Sequence, residues 1–226
     1  MNILEFILNN QTYLEDFITR STYHSNAIEG STLTYAETYA ILYNDNSFKI
    51  EGKEPREIYE AINHKKALEL VFKNLQNNDT FDERFIKNIN KLINKNINDS
   101  DGYRKVQVFI RGSEHIPPTP EQIPNLMNYY IYNYTHDEQD IFNKIAKYHI
   151  EFEKIHPFKD GNGRTGRLLL NYELLKNNIA PIVITKEDRV KYFEFLKSND
   201  DLGLANWLKE LSLNEQERIG KFDYKD

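Results

Sequence analysis

The chain contains no cysteine. That excludes disulfide cross-links, thiol nucleophiles and thiolate metal sites, and it fits a reducing compartment. No apolar run is long enough to cross a bilayer, so no membrane partner is expected. The start, Met1–Phe6, lacks a basic region and an uninterrupted apolar stretch, so no secretory leader is expected and a cytoplasmic location is. An excess of basic residues is missing too. The 29 Lys and Arg face 35 Asp and Glu, a formal net charge of −6, which argues against a nucleic-acid partner. The G-x-x-x-x-G-K-S/T phosphate loop, the protein-kinase motif set and H-E-x-x-H do not occur. His149 and His156 lie seven residues apart, which does not make the zinc-hydrolase pair. No internal repeat, low-complexity stretch or linker breaks the 226 residues, so a single domain over 1–226 is expected.

What is present is helical patterning. Ile3, Phe6, Ile7, Leu14, Phe17 and Ile18 predict a helix over about 2–20, and a second short one from about Thr19 to Ile28 that stops at Gly30. Thr34 is placed to cap a helix over Tyr35–Tyr43, Asn44–Ser47 reads as a loop, and Pro55 opens a long helix through Leu75. Phe81, Phe85, Ile89, Leu92 and Ile93 mark the next. Ile141, Ile145, Tyr148, Phe152 and Ile155 recur at helical steps over 137–155. The helix running to about Lys176 is apolar on nearly all sides and should be the most buried. Two shorter helices follow, through Tyr192 and Leu196 and through Leu204 and Leu211, before a polar, frayed tail over 221–226. The one strand signal is Val106–Ile110, with Arg111-Gly112-Ser113 as a turn and His115-Ile116 as a return. The fold class expected is all-α, a helical bundle carrying one small β-hairpin.

One stretch is dense in chemistry: His156-Pro157-Phe158-Lys159-Asp160-Gly161-Asn162-Gly163-Arg164-Thr165-Gly166-Arg167. Gly161, Asn162 and Gly163 make a turn without Cβ obstruction that opens into a helix, where backbone N–H groups and the helix dipole suit phosphate. Arg164 and Arg167, three apart on that helix, suit a polyphosphate. Asp160 is a hard oxygen ligand of the kind Mg²⁺ needs when it bridges phosphates. His156 can accept a hydroxyl proton near neutral pH. Together these residues describe group transfer from a nucleotide to a hydroxyl.

The stretch resembles the Fic-domain signature, H-x-F-x-D/E-G-N-G-R-x-x-R, and fits it at every specified position. The resemblance implies a protein adenylyltransferase (AMPylator) that moves AMP from ATP to a Ser, Thr or Tyr hydroxyl of a target protein. The same resemblance makes His156 the base and Asp160 the Mg²⁺ ligand. Gly161, Asn162 and Gly163 become the anion hole, with Asn162 at the α-phosphate. Arg164 is then at the phosphates, Arg167 at the γ-phosphate, and Phe158 an apolar anchor for the loop. The intact G-N-G-R favours AMP transfer over phosphotransfer. The segment of about 104–118 is similar to the family's flap, on which a target segment would dock along 106–116 as an added strand. Tyr192, Phe193 and Asn199 resemble the family's adenine-side residues. Self-modification and a homodimer are further implications.

Ser25-Asn26-Ala27-Ile28-Glu29-Gly30 resembles the family's inhibitory motif, S/T-x-x-x-E-G/N, on an N-terminal helix of about 17–30. Ser25 and Glu29 are four apart, so the hydroxyl can orient the carboxylate. A carboxylate facing Arg167 would occupy the γ-phosphate's position. The expected function is therefore an autoinhibited protein adenylyltransferase. The alternatives are a dual or de-AMPylating enzyme that uses Glu29, and a non-catalytic nucleotide-sensing module. The intact His156 and Asp160 speak against the last.

Overall fold

Short polar side chains set where the helices begin and end. Residues 2–45, 50–98, 101–110 and 113–223 are described by a computed structural model. Asn2 accepts from the Glu5 N–H and starts α1 (Ile3–Asn9). Asn10 then plays two parts. Its N–H closes α1 on the Phe6 carbonyl, and its side chain accepts from the Tyr13 N–H to start α2 (Gln11–Glu29). The break between the first two helices therefore falls at Asn10 rather than near Thr19. Apolar periodicity runs straight through this position and hides it. Gly30 ends α2 with φ of 107°, as its position predicted.

Thr34 and Glu37 form a reciprocal capping box on α3 (Tyr35–Tyr43). Pro55 opens α4 (Pro55–Gln76), and Asp82 caps α5 (Glu83–Ile93). A 3-10 turn at Pro120–Gln122 leads into α6 (Ile123–His136), then α7 (Ile141–Ile155), α8 (Asn162–Lys176), α9 (Arg189–Ser198) and α10 (Asp201–Asp223).

α8 is the axis. All its residues except Gly163 and Lys176 are buried. α4, α5 and α2 pack on one side of it, around Leu68, Ile86, Ile89, Phe17 and Phe158. α7 and α10 close the other side around Ile145, Leu174, Leu204 and Leu208. α10 runs to Asp223, far past the short helix that was expected. Its second half is held by Glu215, which accepts from the Tyr13 hydroxyl at 2.6 Å and from both Arg20 Nη groups at 2.6 and 2.9 Å. That cluster fixes α2 to the body of the molecule. Of the predicted tail, 224–226 lies outside the described residues.

Among the described residues, the predicted hairpin shows no strand pairing: Val106–Ile110 and 113–118 form no strand, and Arg111 and Gly112 of the expected turn lie outside the described residues. The segment is anchored by a side chain instead of a ladder. The Arg104 guanidinium donates to the carbonyls of His156, Val106 and Pro118, and the Arg104 N–H donates to Pro157 O at 2.9 Å. The β-branched run that suggested a strand stands out in solvent, with Phe109 77% exposed and Val106 and Ile116 also exposed. The expected loop residues Asn46 and Ser47 lie outside the described residues as well.

Candidate active site

His156 terminates α7 in the left-handed region, φ 48° and ψ 59°, with its N–H on the Phe152 carbonyl. This conformation is costly for a residue with a Cβ, by about 1–3 kcal/mol. It turns the chain sharply into Pro157, and Arg104 Nε holds the His156 carbonyl at 2.8 Å. His156 Nδ1 lies 3.2 Å from the Glu153 carbonyl. A carbonyl can only accept, so in the neutral ring Nδ1 carries the proton and Nε2 keeps its lone pair. Burial, with Arg104 adding to it, lowers the pKa of the ring, which is therefore a neutral base at pH 7.

The loop after it is a closed clamp. The Asn162 side chain accepts from the Phe158 N–H at 2.9 Å and donates to the Phe158 carbonyl at 2.8 Å. Phe158 itself is fully buried against Tyr103 and Phe152. Asn90 of α5 and Asn94, the cap that follows it, hold the loop. Asn90 Nδ2 and Asn94 Nδ2 donate to the Asp160 carbonyl at 2.9 and 3.0 Å. Gly161 has φ of 77°, and a Cβ there would lie 2.8 Å from Ile93 Cγ2. Only glycine fits.

Gly161 is the N-cap of α8, and no side chain caps this end. The first N–H groups of the helix therefore lack helical partners and face a cleft, with the dipole adding positive potential. The cleft measures about 470 Å³. His156, Asp160–Arg164, Glu29–Thr32 and the first turns of α4 line it. A carboxylate already stands at the helix end. A Cβ on Gly163 would collide with Glu29 Oε1 and reach Arg167 Nη1. Glu29 Oε1 pairs with Arg167 Nη2 at 2.8 Å, while the Glu29 side chain stays 37% exposed.

Arg167 is buried. Its Nε donates to Ser25 Oγ at 3.0 Å and its Nη2 to the Ser25 carbonyl at 2.9 Å. Ser25 thus grips the arginine itself, rather than orienting the Glu29 carboxylate as the spacing suggested. Burial lowers the Arg167 pKa, but Glu29, Tyr192 and Glu153 more than offset it and the guanidinium stays charged.

Asp160 faces the cleft. Its Oδ1 accepts from the Gly161 N–H at 2.6 Å and from Arg164 Nη2 at 3.1 Å; its Oδ2 pairs with Arg56 Nη2 at 2.6 Å. Burial alone would raise its pKa, but Arg164, Arg56 and the Gly161 N–H together hold it below the usual carboxylate range. No group of three or more His, Asp or Glu that could hold a metal occurs among the described residues. One cleft-facing carboxylate still fits a Mg²⁺ that arrives with phosphates, because such a cation takes one or two protein carboxylates and fills its shell with phosphate oxygens and water.

Residues 80–174 match the model of the Fic/DOC family. The protein adenylyltransferase Fic of Nematostella vectensis is 35% identical over 180 residues, 77% of this chain and 41% of that protein. The one from Aedes aegypti is 33% identical over 181 residues, 77% of this chain and 36% of that protein. The chain carries a Fic domain. Fic-1 of C. elegans superposes with a TM-score of 0.77 at 26% identity, over 94% of this chain and 64% of that one. A Fic-domain signaling protein from Bacteroides thetaiotaomicron shares the fold with a TM-score of 0.83 at 24% identity, over 98% of this chain and 97% of that one. The chain spans about two-fifths of the length of the curated relatives it matches.

Of the Fic signature residues, His156 and Asp160–Arg164 line one cleft, while Phe158 and Arg167 do not. Arg164 is only 2% exposed where it lines the cleft, with Nη2 on Asp160 and Nη1 3.2 Å from Glu60 Oε1. Asn162 spends its carboxamide on Phe158 rather than on open space. Tyr192 is fully buried behind Arg167, its ring 5.9 Å from the Arg167 guanidinium carbon and its hydroxyl 2.7 Å from His149 Nε2. Phe193 packs against Tyr192 and under Arg189, and Asn199 is the exposed left-handed cap of α9. None of these three lines the cleft.

Other site residues escaped the sequence. Arg56, Glu60, Asn90, Asn94 and Arg104 sit far from the Fic signature in the chain. Only the i, i+4 pair of asparagines at the end of α5, Asn90 and its cap Asn94, gave a readable hint.

Proposed function

We propose that this chain is a protein adenylyltransferase that transfers AMP from ATP to a hydroxyl of a protein, and that Glu29 holds it in a restrained state. The observation that carries the reading is the Glu29 carboxylate seated at the open N-terminus of α8 and paired with Arg167 at 2.8 Å. An anion site with no side-chain cap is filled by the chain's own anion, where a nucleotide's phosphate would otherwise sit. Family membership of the region carrying His156, Asp160 and Arg167 supports the same reading.

The roles follow from chemistry. His156 Nε2 takes the proton of the acceptor hydroxyl, whose oxygen forms a bond to the α-phosphorus. The bond from that phosphorus to the oxygen bridging to the β-phosphate breaks, and pyrophosphate leaves. The N–H groups at Gly161–Gly163 receive the charge on the phosphate oxygens. Asp160 would hold Mg²⁺, which supplies charge neutralisation on the phosphates. Arg167, once released by Glu29, receives the terminal phosphate. With Glu29 in place, the triphosphate is displaced and the in-line geometry is lost.

Incubation with ATP labelled at the α- or at the γ-phosphate tests the reading. Label from the α-phosphate should enter protein, and Glu29→Gly should raise that incorporation at least tenfold by restoring the in-line geometry. Incorporation of the γ-label, or equal labelling by native and variant, overturns transfer or restraint respectively. A second reading, removal of AMP from a modified protein, draws on the exposure of Glu29 to the cleft that His156 also lines. Release of labelled AMP from a modified protein would report it.

A further inference from the structure

Arg56 is a feature the proposed reaction does not use. It lies in the first turn of α4, 55% exposed at its side chain, and lines the cleft. Its Nε donates to Glu60 Oε1 at 2.9 Å, and its Nη2 donates to Asp160 Oδ2 at 2.6 Å. The other carboxylate oxygen, Oδ1, is already committed to the Gly161 N–H and to the buried Arg164. Oδ2 is therefore the oxygen whose partner is the half-exposed side chain, the Arg56 guanidinium. Arg164 is buried and cannot leave. Arg56 is half in solvent, tethered by Glu60, and can swing away while keeping that partner.

We infer that Arg56 is a resident counter-cation on Asp160, which a divalent cation entering with a nucleotide must displace. This inference rests on the reading of the cleft as a metal–nucleotide site. It makes Arg56 a positioning residue that sets the metal requirement of binding. It is a second restraint, separate from the Glu29–Arg167 pair: one acts at the terminal-phosphate end and the other at the metal ligand. The physical basis is competition for one oxygen. A cation that binds Asp160 loses whatever the Arg56 pair contributes. A half-exposed ion pair contributes little, so the competition is worth about two- to fivefold in metal affinity. Salt screens such a pair, so the difference should shrink as ionic strength rises.

The test measures binding, not turnover. The full chain is titrated with Mn²⁺ at a fixed concentration of an α,β-methylene ATP analogue, and bound metal is followed by its electron paramagnetic resonance signal. Native chain is compared with Arg56→Gln, both also in the Glu29→Gly background so that the first restraint is absent. Arg56→Gln should lower the half-saturating Mn²⁺ concentration about two- to fivefold. Thermal unfolding of each variant establishes that the fold is kept, and Arg56→Met provides a second neutral side chain of similar length.

An unchanged or higher half-saturation in both neutral variants, with native chain binding the complex, overturns the inference alone. If both variants bind the analogue more weakly with and without metal, Arg56 is a phosphate ligand and the inference is also overturned. If native chain and Glu29→Gly both bind no metal–nucleotide, the functional reading falls with it.

Discussion

At the scale of single residues, the site is built from groups whose freedom has been removed. His156 has one ring nitrogen committed to a carbonyl and sits in a left-handed backbone held from both sides by Phe152 and Arg104. His156→Ala should abolish AMP transfer while leaving nucleotide binding intact, because the anion site belongs to the α8 terminus and not to the imidazole. Label transfer and equilibrium binding measured on one preparation decide this, and retained transfer would remove His156 from the role of base. Gly161→Ala is a different case. It forces a Cβ into a left-handed position and to 2.8 Å from Ile93. The cost should be about 1–3 kcal/mol, seen as a melting temperature lowered by several degrees. A melting temperature equal to native would mean that the loop relaxes away from α5. The contiguous residues of this site were legible in the sequence, because a turn, a base and a hard ligand within twelve positions announce themselves. What each side chain does was less so. Arg164 and Asn162 read as phosphate ligands by type, and both line the cleft, but their side chains are already paired, Arg164 with Glu60 and Asp160 and Asn162 with Phe158. No local pattern shows which distant carboxylate a guanidinium will meet.

At the scale of elements, capping and periodicity located most helices. Thr34, Gly30, Pro55 and the apolar wrapping of α8 act where they were expected to. Two misreadings share a cause. The Asn10 break and the unpaired 106–110 segment depend on polar bonding, by one asparagine and by Arg104, which overrides apolar pattern and strand propensity. The length of α10 was hidden because its second half docks largely through a polar residue, Glu215, with Ile219 as an apolar contact to the core. The element with a testable coupling is α4. Its first turn carries Glu57, which accepts from the Thr32 N–H, from the Ser31 hydroxyl at 3.3 Å and from the Glu54 N–H at 3.2 Å. Burial would raise the Glu57 pKa, but these donors together lower it. Glu57 thus ties the turn after Glu29 to α4, while Arg189 Nε holds the Ile28 carbonyl at 2.8 Å from the other side. Glu57→Ala should loosen the end of α2 and raise transfer above native, by less than Glu29→Gly does, because Ser25 and Arg189 still hold the helix. If the variant melts earlier but transfers at the native rate, the tie is structural only.

At the scale of the whole molecule, the buried cation Arg167 organises a set of titrations. His64, with Nδ1 3.1 Å from the Thr22 hydroxyl, and His149, on Tyr192, are both buried and lowered to a pKa of about 3, by burial first and by Arg167 second. In the unfolded chain an imidazole titrates near 6.5. Between these values the unfolded chain binds protons that the native chain does not, so stability rises with pH from about 3 to 6.5 and is lost as acid is added. Glu153 works in the opposite direction. Its Oε1 is buried beside Gly166 with no hydrogen-bond partner among the described residues. Burial raises its pKa to about 8, with Arg167 opposing and Glu29 adding. The native chain keeps a proton there that the unfolded chain releases near 4.5, so stability falls as pH rises from about 4.5 to 8. His64 and His149, joined by the likewise lowered His24 and His156, outweigh Glu153 and the raised Glu151 below 6.5, and Glu153 carries the slope above it. Stability should therefore peak near pH 6.5 and fall by about 2 kcal/mol on the way to pH 8. Urea midpoints taken across pH 4–9 measure this. Glu153→Gln, which keeps the shape and cannot ionise, should flatten the alkaline limb and leave the acid limb in place. A variant that keeps the native slope between pH 6.5 and 8 would mean that Glu153 is already ionised beside Arg167 at neutral pH, and that the site holds two carboxylates against one guanidinium.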